Sequence, residues 1–406
     1  MSISNKLSIK DIDVKDKRVL ARVNFSSNNL IAVALPTIKY LQEHGAAGVV
    51  LISHRGRPNG QVVAKYSLKP AAEKLEELLG QSVTFLSDCV GAEVESACAN
   101  LTGGQVVLLE NLQFHIEEEG SVIDSQGNMT NADPSKVKEF RKSLTKLGDI
   151  YVNDVFGKVH RAHSSMVGVD LPVRAAGLLM QKELEYFGKV MEDPDRPCLA
   201  IVGGFKLSNM AQLIDSLLDK VDIMIVTGSI AYTFLKVVSG MNIGNSLYDS
   251  KDNESAQKLA DKAKKRGVTF VLPRDFIVVE DLPGATSATR CTMQEGIPEG
   301  WQGQDIGPES IDLFGKIIFS SKTIVWSGSI SGYEVNVDSG TKRTINNIID
   351  AHSRGATTIV AGSDTTEIVF KQNVAPWFSH VTTGGSASNK LLEGKELPGV
   401  AALSTK

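Results

Sequence analysis

The sequence predicts an α/β protein of two halves, each a parallel sheet covered by helices. Three observations carry this. Short apolar runs recur along all 406 residues and alternate with longer segments of helical period. The runs lack the every-second-residue alternation of a sheet with one wet face, as expected of strands buried on both faces. Finally, the series is too long for one sheet, and a chain of this length suits two or three domains.

Residues 19–25 (VLARVNF) read as the first strand, followed by a helix through Ile38, Tyr40 and Leu41 that stops near Gly45. Residues 49–53 (VVLIS) come next, then an amphipathic helix over 68–79 (LKPAAEKLEELL) ended by Gly80. Strands at 106–110 and 150–152 continue the first half. The segment 181–192 (QKELEYFGKVME) is helical, and 193–197 (DPDRP) breaks it with a Pro-containing turn that suits a domain connector. Strands at 198–203, 223–228, 268–273, 323–328, 358–362 and 381–384 build the second half.

Lys and Arg number 43 against 47 Asp and Glu, a net charge of −4. Binders of nucleic acid or anionic membranes carry a basic excess, so neither partner is expected, and any anion site must be a local cluster. Cys89, Cys98, Cys198 and Cys291 form no C-x-x-C pair and have no His at ligand spacing. A disulfide framework or a structural zinc site is therefore not expected. The N-terminus has no signal or transit character. No window approaches the roughly 18 apolar residues that a membrane span needs. A soluble, cytoplasmic protein is the expectation.

Ligands of open α/β sheets bind beyond the carboxyl ends of the strands. In the first half those ends offer Arg22, then His54, Arg55 and Arg57, then residues 111–115, then His160, Arg161 and His163. Such a convergence of cationic and imidazole groups suits a small, multiply charged anion. In the second half they offer Gly203-Gly204-Phe205-Lys206, Thr227-Gly228-Ser229, Ser327-Gly328, Gly362-Ser363-Asp364-Thr365 and Gly384-Gly385-Ser386. Glycines there let backbone N–H groups approach phosphate oxygens at a helix N-terminus. An anionic acceptor on one half and a nucleotide on the other imply phosphoryl transfer. No Walker sequence and no protein-kinase motif set is present. His44, His115, His352 and His380 read as ordinary surface or core residues, and Glu117-Glu118-Glu119 as a solvated acidic face.

The segments SHRGRPNG (53–60), LLENLQFHIEEEG (108–120), YVNDVFGKVHRAHSSMVG (151–168) and LLEGKELPGVAALS (391–404) resemble the phosphoglycerate kinase family. The resemblance covers essentially the whole chain. It implies two Rossmann-like domains facing each other across a hinged cleft, 1–184 for 3-phosphoglycerate and 185–394 for the nucleotide, with 395–406 packing back onto the first. A monomer acting on small molecules, with Mg2+ and ATP or ADP, is implied too. Carried over, Arg22, His54, Arg57, His160, Arg161 and His163 serve the acceptor. Gly203, Gly204, Gly228, Glu334 and Thr365 serve the nucleotide, Asp364 its metal, and Lys206 and Gly362 the moving phosphoryl group.

The chain also departs from the family. Asn24-Phe25-Ser26 replaces Asp-Phe-Asn, the loop after it is cut to a few residues, and Leu30 stands where an arginine belongs. Gln113 replaces a second arginine, Met210 a lysine, and Phe205 a small residue; Ser327 and Ser329 flank Gly328 in place of Asn and Pro. These changes touch both ligand sites while the apolar strands stay intact. The expectations are therefore a kinase of weak or lost activity, or a non-catalytic ligand-binding or scaffold protein. A phosphotransferase for another small anion has the least support. Arg55 could compensate for a lost arginine, although a solvated surface charge is the simpler reading. Ser26, Ser27 or Asn28 is expected to cap the helix that follows.

Overall fold

The apolar runs become two six-stranded sheets, parallel throughout. The structure is a computed structural model that describes residues 2–124, 126–281, 287–331 and 340–406. By internal contacts the chain divides into one unit of Met1–Glu185 with Glu396–Lys406, and a second of Tyr186–Lys395. The passage between them falls inside helix Leu178–Met191, upstream of the Pro-containing turn at 193–197 that the sequence suggested as connector.

In the first unit the strands lie in the order Val83–Leu86, Gln105–Leu109, Gly48–Ile52, Arg18–Arg22, Ile150–Asn153, Arg174–Ala176. Alternate residues of each strand enter different cores: Val19, Ala21, Val49 and Leu51 join one, Leu20, Val50 and Ile52 the other. Burial on both faces is why the sequence shows apolar runs instead of alternation. The closing segment belongs here as well. Leu397, Val400 and Leu403 are buried, Leu7 N donates to Ser404 O at 2.9 Å, and Lys6 Nζ donates to Leu403 O at 2.9 Å.

The second unit orders its strands Thr269–Val271, Ile223–Val226, Cys198–Val202, Thr323–Ser327, Thr357–Ala361, His380–Val381. It also holds an antiparallel sheet of Asp275–Glu280 between Ala288–Thr292 and Trp301–Ile306, which the sequence reading missed. Its outer strands are half-wet and carry Arg, Thr, Gln and Gly, so no apolar run marks them. The short edge strands Val83–Leu86 and Arg174–Ala176 were missed as well: at four and three residues, with Thr84 interrupting the first and Arg174 opening the second, neither makes a marked run.

Candidate functional site

The first constellation grows from the central strand of the first unit. Arg22 ends that strand, in register with Ile52 on one side and Asn153 on the other. The residues following all three strands therefore converge. Arg22 is 1% exposed, and its Nη2 lies 3.0 Å from His54 Nδ1. Its Nε donates to Ser165 Oγ at 3.0 Å and its Nη1 to Val23 O at 2.6 Å. Ser165 Oγ in turn donates to Glu118 Oε1 at 2.6 Å.

Glu118 is fully buried, which corrects its reading as part of a solvated acidic face. It supplies the negative charge that a buried guanidinium requires. Burial raises the Glu118 carboxyl, while Arg22 and the Ser165 hydrogen bonds hold it down. His163 sits 3.9 Å from Glu118 Oε1 and 3.6 Å from Glu119 Oε1. Neither contact is an ion pair at neutral pH, because burial and then Arg22, Lys158 and Arg161 push the imidazole down to about 3. His54 is likewise held well below its ordinary value by burial and then by Arg22. Both rings sit neutral within the cationic cluster.

Arg57 and Arg161 are exposed and His160 is half-buried at the same strand ends. Lys158, which the sequence reading passed over, lies among them. Burial, then Arg22, with Arg57 and Arg161 behind, lowers its ammonium against the pull of Glu119. The only clue in the sequence was its position two residues before His160. Gln113 is buried and donates to Glu119 Oε1 at 3.1 Å, while its own Oε1 is buried without a protein partner among the described residues. Arg55 is not the solvated surface charge expected of it. It is half-buried, with Nη1 buried and unpartnered among the described residues. Leu30 is half-buried in the first turn of helix Asn28–Glu43. Asn24 Oδ1 accepts from Ser26 N at 3.2 Å, and Ser27 takes the helix N-cap position without making a side-chain cap.

The second constellation forms in the same way. Val202 pairs with Val226 and Ser327, and Ser327 with Ala361, so Gly203, Gly228, Gly328 and Gly362 come side by side. A Cβ at Gly203 would collide with Ser329 O, and one at Gly228 would lie 2.5 Å from the same oxygen. Gly228 also has φ +67, which disfavours any other residue. Gly328 N donates to the buried Thr365 Oγ1 at 2.7 Å, so Thr365 fastens this glycine turn. Ser327 is buried and donates to Asn389 Oδ1 at 3.3 Å.

Helices Leu207–Leu217, Ser229–Ser239 and Ser363–Lys371 start at this edge from Lys206, Gly228 and Gly362, and none has a side-chain cap. From outside the helix, Asp252 Oδ2 accepts from Ser208 N at 3.3 Å in the first of these; the first N–H groups of the other two meet no capping side chain and suit phosphate oxygens. Asp364 and Lys206 are exposed at two of these starts. An exposed carboxylate beside uncapped N-termini and an ammonium fits a magnesium nucleotide. Met210, half-buried one turn into its helix, puts Cγ 3.3 Å from a Cβ position at Gly204. Phe205, Lys206, Leu247 and Tyr248 line an adjoining cavity of about 160 Å³. Glu334 lies outside the described residues.

Comparison with known proteins settles the lineage. The phosphoglycerate kinase profile matches residues 9–395. The chain belongs to the phosphoglycerate kinase family. It is 54% identical to the phosphoglycerate kinase of Hypocrea rufa and 50% identical to that of Candida albicans, each over 100% of both chains. Among solved structures it resembles phosphoglycerate kinase from Coxiella burnetii (TM-score 0.85, 32% identity) and from Pyrococcus horikoshii (TM-score 0.71, 26% identity). Both likenesses cover 98% of each chain.

Proposed function

We propose that the chain binds a 3-phosphoglycerate-type acceptor at Arg22, His54, Arg57, His160, Arg161 and His163, and Mg2+ with ATP or ADP at Gly203, Gly204, Gly228, Gly362, Lys206 and Asp364. On this reading it is a glycolytic phosphoglycerate kinase of the cytoplasm, monomeric, with weak or lost turnover. Family membership over the whole chain supports the reaction class, and the four free, buried cysteines agree with a reducing compartment. Asp364 would hold the metal, whose chemistry is to neutralise charge on the nucleotide phosphates. Lys206 would accompany the phosphoryl group.

The observation that carries the impairment is Met210. Its apolar stem covers the backbone of Gly204 one helical turn from Lys206, where the family places an ammonium. Phosphoryl transfer depends on positioning and charge neutralisation, and a transition-state arginine is worth about 10³–10⁵ in rate. Leu30 supplies no charge at all. Gln113 supplies only a neutral amide, already bonded to Glu119. Lys158 keeps the acceptor cluster cationic, which supports retained acceptor binding beside the loss of rate. The alternative of a non-catalytic ligand-binding or scaffold protein is favoured by the same Leu30 and Met210, and differs in having no turnover.

Single-turnover transfer from 1,3-bisphosphoglycerate to Mg-ADP separates the two. Slow transfer that Lys206→Ala abolishes is the expected result, with a gain of at least about 10-fold in a Leu30→Arg/Gln113→Arg/Met210→Lys variant. Transfer at the rate of an active relative would refute the impairment. No transfer from the folded parent would leave the non-catalytic reading standing.

A further inference from the structure

Away from both constellations, Asp88, Cys89 and His115 each bring one ligand atom to within 4.8 Å of the others, the one such His/Cys/carboxylate group among the described residues. Strand pairing assembles it. Leu86 and Leu109 end adjacent parallel strands in register, so the turn after the first meets the segment after the second. Asp88 Oδ1 lies 2.7 Å from His115 Nε2. The Asp88 side chain is half exposed and that of His115 partly exposed, whereas Cys89 is fully buried beneath them. Phe140 closes one side, its ring 5.4 Å from the imidazole.

We propose that Asp88, Cys89 and His115 form a binding site for a borderline-soft divalent cation, Zn2+ by preference. One sulfur, one nitrogen and one oxygen are the donors such ions take, whereas Mg2+ requires a nearly complete oxygen shell. Three protein ligands leave a fourth position for water on the open side of Asp88. Metal–ligand distances of about 2.0–2.3 Å put tetrahedral donors about 3.3–3.7 Å apart, so the present spacings need adjust by only an ångström or so. Binding exchanges the Asp88–His115 hydrogen bond for two metal bonds. By exchange with solvent the proton of that bond leaves the ligating nitrogen, and the imidazole is left neutral with one proton on its other nitrogen. Binding also releases to solvent the thiol proton that burial holds on Cys89.

The site has a connection to the basic cluster. His115 precedes the short helix Ile116–Glu119, whose Glu118 carries Ser165 and through it Arg22. A bound cation would therefore fasten the turn at 88–89 to the segment that carries Gln113 and Glu118.

The test is titration of the full-length protein with Cd2+, followed by the ultraviolet thiolate-to-cadmium charge-transfer band, with Zn2+ and Mg2+ as competitors. The expected result is one equivalent of Cd2+, displaced by Zn2+ and not by Mg2+. Cys89→Ser should lose the band, and His115→Gln and Asp88→Asn should each weaken binding at least about 10-fold. Absence of the band, a band that survives Cys89→Ser, or unchanged affinity in either of the other variants would overturn the proposal. Should Cys89→Ser not fold, His115→Gln and Asp88→Asn decide it.

Discussion

Charge state is the property of His163 that its surroundings decide. Burial and three neighbouring cations hold its imidazole neutral down to about 3, while the unfolded chain takes up that proton near 6.5. Between those values the unfolded state binds more protons, so stability falls as pH is lowered through the interval. His163→Asn should therefore flatten the pH dependence of the urea midpoint between about pH 4 and 6.5, with little change in slope above it. An acid slope equal to the parent's would show that His163 charges in the folded state. The chemistry agrees with an anion pocket. The cationic charge comes from Arg22, Arg57, Lys158 and Arg161, and the two neutral rings add hydrogen bonds without adding repulsion.

Helix starts divide into two kinds at the scale of the element. Helix Leu178–Met191 is capped from a distance: Asp154 Oδ1 accepts from Leu179 N at 2.9 Å and from Met180 N at 3.2 Å. Burial raises that carboxyl to about 6, so above this value it meets the helix N-terminus as an anion. Helix Asn28–Glu43 follows the shortened connection instead and starts at Ser27 with no side-chain cap. Asp154→Ala should cost about 2 kcal/mol in urea unfolding and Asp154→Asn much less, whereas Ser27→Ala should stay within about 0.5 kcal/mol. Equal costs for the two alanine variants would contradict the assignment of caps. The starts at Gly228 and Gly362 have no such carboxylate and contrast with Asp154's helix, whereas the start at Lys206 has Asp252, whose Oδ2 accepts from Ser208 N at 3.3 Å.

At the scale of the whole molecule, the last residues return to the first unit. Leu397, Val400 and Leu403 are buried there, each worth about 1.5–3 kcal/mol when removed from water. Ser404 N also donates to Arg174 O at 2.8 Å, extending the edge of the sheet. All three tryptophans, Trp301, Trp326 and Trp377, belong to the second unit. Deletion of residues 396–406 should therefore bring forward the urea transition seen by far-ultraviolet circular dichroism and leave that seen by tryptophan fluorescence nearly in place. A fluorescence transition shifted by the same amount would mean that the two units unfold as one.

The sequence by itself determined the α/β class, the two parallel sheets and the residue types at their carboxyl ends, because strand runs, helical periods and strand-end glycines are local properties. It left the edge strands Val83–Leu86 and Arg174–Ala176 of the first sheet unmarked because they are short. The outer strands of the antiparallel sheet went unmarked because their half-wet residues form no apolar run, although the middle strand between them carries the apolar run 276–279. Only the tertiary structure decided that Glu118 is buried under Arg22 and not part of a wet acidic face, that Lys158 stands inside the cationic cluster, and that Thr365 fastens a glycine turn. It alone brought Asp88 and Cys89 to His115. The reason is physical: burial, charge state and ligand geometry depend on neighbours supplied by other strands, and parallel pairing joins residues that lie far apart along the chain.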